Sequence, residues 1–379
     1  MSVDANIDDL AADLFILYSS NPTDVDRRSG RLPTQHASGD VICAGSKLPI
    51  YCGLTTFDGP VGGMEFRRHA LDYTCQVPSG VLRRVGYDLF AEVRHLLTVG
   101  QPASQACIPT LELHIDLLRR VLTESGISFV EIPPRPAGFD FICCLTHDVD
   151  FFGIRRHKLD RTLAGFIARA SIGTLVDVVR GRRPLADAFR NWAAVLSLPF
   201  VFMGLRRDFW NPFDDYARAE SGKPSTFFLV PFRNRPGTSP DGTVVATRRV
   251  AYQASEIREE AAKVAASGCE LAVHGIDAWR SADAGQSELR ELTRLTNCAT
   301  AGVRMHWLYF SETAPETLEA AGFDYDSTCG FNDAVGYKAG TSQSFRPLGT
   351  RTLMELPLAI MDSALFYRTR MGLEKADAG

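Results

Sequence analysis

The feature that most constrains this chain is an alternation running from about residue 139 to residue 360. Short, almost unbroken apolar runs are followed by helical periods, and several of the runs end on ionisable side chains. Phe139-Asp140-Phe141-Ile142-Cys143-Cys144-Leu145-Thr146 and Thr226-Phe227-Phe228-Leu229-Val230 have the composition of strands buried on both faces of a parallel sheet. Ile257, Ala261, Val264 and Ala265 mark a helix that Ser255 would cap and Gly268 would end. Glu270-Leu271-Ala272-Val273 follows as a strand finishing at His274, and Leu289, Leu292 and Leu295 mark the next helix. Val303 to Phe310 reads as strand, Thr313-Ala314-Pro315-Glu316 as a capping box with proline in the first turn, and Gly322 as the end of that helix. Phe323 to Asp326 and Met354 to Ile360 complete the strand candidates. Repeated βα units of this kind build an α/β barrel or a doubly wound sheet.

The first third reads differently. Leu14-Phe15-Ile16-Leu17-Tyr18 is a short strand ending in a Ser-Ser-Asn-Pro turn. Tyr87 to Leu97 and Leu111 to Leu122 are amphipathic helices. Ile132-Pro133-Pro134-Arg135-Pro136-Ala137-Gly138 is a proline-rich break, and a chain of 379 residues has room for two domains. Residues 1–137 are therefore expected to form an accessory α/β domain, and residues 138–379 the barrel.

Composition excludes some classes. A net charge of -4 leaves no basic field for nucleic acid. Nine scattered cysteines without a Cys-x-x-Cys pair fit neither a zinc ribbon nor a disulfide framework, so reduced thiols are expected. The acidic start, Met1 to Asp9, lacks a basic region before an apolar core, and a cytoplasmic location is the expectation. Nothing in the sequence sets an oligomeric state.

In a barrel of parallel strands, polar residues just past the strand C-termini carry the chemistry. His147-Asp148-Val149-Asp150 sits at such a mouth; a helix-capping turn would use the same residue types, but three ionisable groups beside an apolar strand are costly unless they are paired or bound. His274 ends its strand and is followed by Gly275, as expected where the backbone turns sharply beside a ligand. Arg304 and His306 share a side of their strand by alternation. Three of the chain's eight histidines, His147, His274 and His306, thus lie at strand ends, with aspartates beside one of them. That nitrogen-and-oxygen set suits zinc or a related divalent ion. The loop-rich stretch with Tyr337, Lys338 and Arg346 offers aromatic and polar groups to a sugar ring, although a glycine-rich loop with tyrosines can simply pack.

Taken together these pieces resemble the polysaccharide deacetylase (NodB-homology) family over roughly residues 139–367. Thr146-His147-Asp148-Val149-Asp150 resembles its first motif, Thr-Phe-Asp-Asp-Gly, and Ser225-Thr226-Phe227-Phe228 its second strand. Ser267 to Gly275 resembles the approach to its metal-binding histidines, Arg304 the arginine of its third motif, and Gly322 to Thr328 the strand after it. The resemblance implies a distorted barrel that uses a divalent metal, zinc first among candidates, to remove acetyl groups from an N-acetylated sugar. It implies Asp148 as base, Arg304 as its orienting partner, and Asp150, His274 and His306 as metal ligands. His147, Asp277, Trp307, Tyr337 and Arg346 are then the expected substrate contacts.

Three departures accompany it. Val149 replaces the motif's second aspartate, so the ligand role passes to Asp150 or Asp148. Ala278 stands where the second histidine of His-x-x-x-His would fall, leaving His306 as its replacement and Asp277 as fallback. No histidine follows His306, so the family's general acid has no counterpart, and the tail Met371 to Gly379 does not read as a strand that would complete the barrel. A carbohydrate-binding relative without catalysis is the alternative these departures favour. Finally, about residues 151–222 form a helical insertion. Its 151–213 part is arginine-rich around an apolar run from Trp192 to Leu205, which would let it touch a membrane surface or an anionic glycan peripherally, or pack on the barrel.

Overall fold

The computed structural model describes residues 89–124, 126–131, 138–211, 213–220, 222–296, 301–367 and 369–373, together with strand segments between residues 13 and 85. The chain divides into two compact units, one of residues 1–141 with 327–379 and one of residues 142–326. The division after residue 141 lies close to the proline-rich break. The grouping of 327–379 with the N-terminal stretch is a connection that no boundary in sequence order could express.

Backbone pairing explains that grouping. Gln101 donates to the Lys338 carbonyl, Tyr337 to that of Ala106, and Leu111 to that of Gly340. Gly340 sits at φ +71°, and a side chain on Gly336 would meet the Ala106 carbonyl oxygen at 2.2 Å. The helices Leu89–Thr98 and Thr110–Glu124 appear as the periodicity predicts, and pack Leu89, Leu117 and Val121 on Leu48 and Ile50.

In the 142–326 unit five strands run parallel, side by side, in sequence order: β1 (Thr146–Val149), β2 (Thr226–Leu229), β3 (Glu270–Gly275), β4 (Gly302–Met305) and β5 (Tyr325–Asp326). The registers are Thr146 on Thr226, Glu270 on Thr226, Val273 on Val303 and Gly302 on Tyr325. Parallel neighbours need long crossovers, and helices supply them: Arg258–Ala266 before β3, Ala282–Thr296 before β4 and Ala314–Ala321 before β5. β2, β3 and β4 are buried almost throughout, as their apolar runs require. The row is singly wound, and no pairing among the described residues closes it into a barrel.

Three local expectations change. The apolar run 139–145 is not strand: Phe139, Phe141 and Ile142 stand exposed, and pairing begins only at Thr146. Ser255 caps nothing, because a 3-10 turn at Ala254–Ile257 precedes the helix and puts Ile257 at its N-terminus. Thr313 makes no capping bond through its side chain, although Pro315 lies in the first turn and Gly322 closes the helix at φ +96°. Apolar composition measures the demand for burial, but a strand also needs a neighbour.

β1 and β2 are joined by the helical crossover expected there. Its elements include Arg161–Ala168, a π turn at Arg169–Gly173, Thr174–Val179, Leu185–Phe202 and Phe213–Ala219. Arg161–Val179 is, among the described residues, one helical stretch long and apolar enough to cross a membrane by length and composition.

At the β4–β5 pair, a Cβ on Gly302 would stand 1.9 Å from the Tyr325 ring. Gly302→Ala should therefore destabilise the chain by about 1–3 kcal/mol through overpacking, read as a lower denaturation midpoint at unchanged slope. A midpoint equal to wild type would show that the ring moves aside at no cost.

Candidate metal centre

The strand registers bring the C-terminal ends of β1, β3 and β4 together. Asp150 follows β1 by one residue, His274 is the penultimate residue of β3, and His306 is the first residue after β4. The Asp150 Oδ1 atom lies 3.3 Å from His274 Nε2 and 3.3 Å from His306 Nε2. All three donor atoms fall within 4.8 Å of one another, and both histidines are buried. That carboxylate oxygen is shielded from solvent, yet no aligned donor reaches it.

Each imidazole is oriented from behind. His274 Nδ1 lies 2.9 Å from the Arg304 carbonyl, which makes Nδ1 the protonated nitrogen and leaves the Nε2 lone pair facing Asp150. His306 is fixed through its backbone: Arg248 Nη2 donates to its carbonyl at 2.6 Å, and Arg248 Nη1 to that of Pro236 at 2.8 Å. Arg248 is fully buried and lies over the Tyr309 ring at 4.0 Å. His306 does not extend its strand as the alternation predicts. The strand ends at Met305, and residues 306–308 turn, with Trp307 at φ +66° and Leu308 at φ +54°. Two consecutive left-handed bulky residues cost roughly 1–2 kcal/mol each, and the Arg248 bonds hold that turn in place.

Charge follows the geometry. Burial alone would raise the Asp150 pKa, but the adjacent His274, with His306 and Arg248 adding to it, outweighs burial and holds the carboxyl below its ordinary value. Burial disfavours the charged form of His274, yet Asp148 and Asp150 together raise its pKa. Burial and the neighbouring His274 push His306 down to about 3. A neutral His306 beside an ionised Asp150, with one imidazole nitrogen already turned inward, is a donor set that fits a divalent cation of the zinc type.

The Arg304–Asp148 pair stands beside this group of three. Arg304 Nη1 donates to Asp148 Oδ1 at 2.8 Å and to Thr146 Oγ1 at 2.9 Å, with its guanidinium 4.3 Å above the Phe228 ring. Thr146 and Asp148 face the same side of β1, so alternation turns His147 to the other side. There His147 pairs with Glu220 and stacks on Tyr216 and Phe227. The structure thus brings Asp148, Asp150, His274, Arg304 and His306 together and leaves His147 hydrogen-bonded to Glu220 on the other side. Trp307 is half-exposed and packs edge-on to His306. Asp277 is outside the three-residue group; its carboxylate accepts the Thr238 N–H at 2.9 Å. Ala278 is fully buried, and Tyr337 and Arg346 belong to the other unit.

Gly275 also has a reason other than the turn expected of it. It keeps strand conformation, and a side chain there would strike Met305 Sδ at 2.6 Å.

Three supporting residues escape the sequence reading. Arg248 is one. Tyr252 is another: its hydroxyl donates to the Val149 carbonyl and accepts from the Val230 N–H at 3.1 Å, joining the ends of β1 and β2 just before Asp150. Burial raises its pKa, so it keeps the proton it donates. The third is Glu288, whose carboxylate accepts the Ile276 N–H at 2.9 Å and the Asp277 N–H at 2.8 Å, pinning the loop after His274. Its one visible signal is an acid on the inward face of a helix, next to Leu289 and one turn before Leu292.

No family model matches this chain, and no curated protein matches it. A solved structure from Mycobacterium smegmatis, provisionally described as a polysaccharide deacetylase, is similar at 18% identity and a TM-score of 0.29. The similarity covers 57% of this chain and 57% of that one, so the chain spans little over half of that protein's length. At that distance it carries no chemistry, which must come from the residues themselves.

Burial raises the Glu288 pKa from 4.5 to about 7 despite its two N–H partners. The folded chain then holds a proton the unfolded chain releases, so this contribution to stability is full below about pH 4.5 and is lost as pH rises through about 7. Relative to Glu288→Gln, wild type should lose on the order of 3 kcal/mol of unfolding free energy across that window. Parallel pH profiles of the two proteins would refute the assignment.

Proposed function

We propose that the 142–326 unit is a metal-dependent hydrolase that removes acetyl groups from an N-acetylated sugar or polysaccharide. One observation carries the proposal: a solvent-shielded Asp150 oxygen, without an aligned donor, equidistant from the Nε2 atoms of two buried histidines. The motif resemblance of Thr146 to Asp150, Ser225 to Phe228, Ser267 to Gly275 and Arg304 supplies the reaction class.

When bound by Asp150, His274 and His306, a divalent cation of the zinc type supplies Lewis acidity and makes an attacking water more acidic. Everything else falls to this chain's own side chains. Arg304 holds Asp148 Oδ1 and so orients the carboxylate, leaving Oδ2 as the proton acceptor. Phe228 and Thr146 in turn fix Arg304. The Arg304 carbonyl keeps the His274 Nε2 lone pair turned towards Asp150, and Arg248 keeps His306 at its mouth. Trp307, half-exposed beside His306, offers an aromatic face on which a sugar ring can stack.

Asp148→Asn should lower acetate release from N-acetylglucosamine oligomers by about 10²–10⁴-fold while metal content stays at the wild-type level. Asp150→Ala and His306→Ala should lose the metal itself, measured by elemental analysis of the purified protein. Loss of metal from Asp148→Asn would make Asp148 a ligand and reverse the roles. A fully metallated wild type that releases no acetate from N-acetylated sugars would end the deacetylase reading.

A further inference from the structure

The crossover between β1 and β2 carries more apolar surface than its own packing uses. Arg161–Val179 and Leu185–Phe202 form an antiparallel helical hairpin. It is clasped by Asn191 Nδ2 donating to Thr174 Oγ1 at 2.9 Å and by Trp192 Nε1 donating to the Ser171 carbonyl at 3.4 Å. One face is buried: Leu163, Leu198 and Val201 pack with Ile154, and Val195 and Phe202 lie against them.

The opposite face is apolar too. Along the second helix and the turn after it, Leu185, Phe189, Leu196, Phe200 and Met203 recur at helical spacing and stand 52–75% exposed. On the first helix Ile172, Leu175 and Val179 form a matching stripe, Val179 being 80% exposed. A helix that is apolar all round needs cover on both sides, and this one has it on one.

Charge selects what provides the cover. Residues 161–205 hold six arginines, Arg161, Arg169, Arg180, Arg182, Arg183 and Arg190, against Asp177 and Asp187, a local +4 in a chain of net -4. All six arginines are exposed. Three of them crowd the tip, Arg180-Gly181-Arg182-Arg183, between exposed Val179 and Leu185. Asp177, itself largely buried, is the carboxylate near them, 3.8 Å from Arg182 and 3.7 Å from Arg183. A second copy of the same chain would bring the same positive rim against itself, whereas an anionic bilayer neutralises the rim and takes up the apolar stripes together. Burying arginines at the tip in hydrocarbon is costly, so the geometry favours lying in the interface over crossing it.

We infer that the 161–205 hairpin is a peripheral membrane-binding element that seats its outer apolar face among the acyl chains of an anionic lipid surface, with its arginines on the headgroups. This stands apart from the hydrolase reading, and neither outcome below depends on acetate release.

The test is co-sedimentation of the full chain with vesicles of mixed phosphatidylcholine and phosphatidylglycerol, set against phosphatidylcholine alone. Binding is expected to the mixed vesicles and to fade as salt is raised. Arg182→Ala with Arg183→Ala should weaken it roughly 30-fold, and Leu196→Glu at least roughly tenfold, both at exposed positions and with the circular dichroism of wild type. Wild type alone gives a second readout, since brominated lipid should quench its tryptophan fluorescence; Trp192→Phe should then remove most of that quenching. Equal sedimentation with both vesicle types, or with neither, overturns the inference. So does a wild-type dimer in sedimentation velocity that Leu196→Glu dissociates, because the outer face would then belong to a second copy.

Discussion

One shielded carboxylate oxygen organises this molecule. Asp150 Oδ1 is held between two imidazole nitrogens at equal distance, in a setting where an ionised oxygen is expensive without a positive partner. His274, with His306 and Arg248 adding to it, meets part of that demand, and a divalent cation would meet it more completely. The surrounding structure reads as support for this arrangement. Tyr252 fixes the backbone before Asp150, the Arg304 carbonyl sets the His274 tautomer, Arg248 holds the turn that delivers His306, and Glu288 pins the loop after His274. Four buried polar groups invested in three side chains exceed what a simple ion pair requires.

Parallel strands make the convergence possible. With β1 to β4 in consecutive order, every C-terminus opens on the same edge, so residues 124 apart in the chain, Asp150 and His274, meet without any special loop. Pleat alternation then sorts the cluster. Thr146 and Asp148 turn to Arg304, while His147 turns to Glu220 and the aromatic layer formed by Tyr216 and Phe227. The helical hairpin sits in the β1–β2 crossover, the one longest in sequence, so its surface can vary without disturbing the strand registers. A candidate metal centre and a hairpin with an apolar outer face can thus coexist in one unit because different parts of the same βα repeat build them.

Much of this was legible in the residues. The apolar runs at 226–230 and 270–273 are strands because full burial on both faces demands that composition, and Gly322 ends its helix because it adopts the left-handed conformation the helix end needs. Strand-end position singled out His147, His274 and His306, the family resemblance implied Asp150, His274 and His306 as the ligands, and the structure brings the donor atoms of those three within 4.8 Å of one another. The run 139–145 was misleading for a physical reason: its composition suits a strand, but among the described residues only its last member, Leu145, bonds to a neighbouring strand, through its carbonyl to Thr226. Arg248, Tyr252 and Glu288 left almost no trace, since a residue that works through a backbone carbonyl or N–H elsewhere in the chain has no fixed spacing to its partner.

What the sequence determined by itself was therefore periodic and local: the βα alternation, the strand ends, and the chemical types waiting there. Tertiary structure decided which of those groups face one another. It turned His147 away, brought His306 in through a strained turn instead of a straight strand, and joined residues 327–379 to the N-terminal unit by backbone pairing. Pleat direction, turn conformation and long-range hydrogen bonds depend on partners distant in the chain, and a pattern of neighbours cannot encode them.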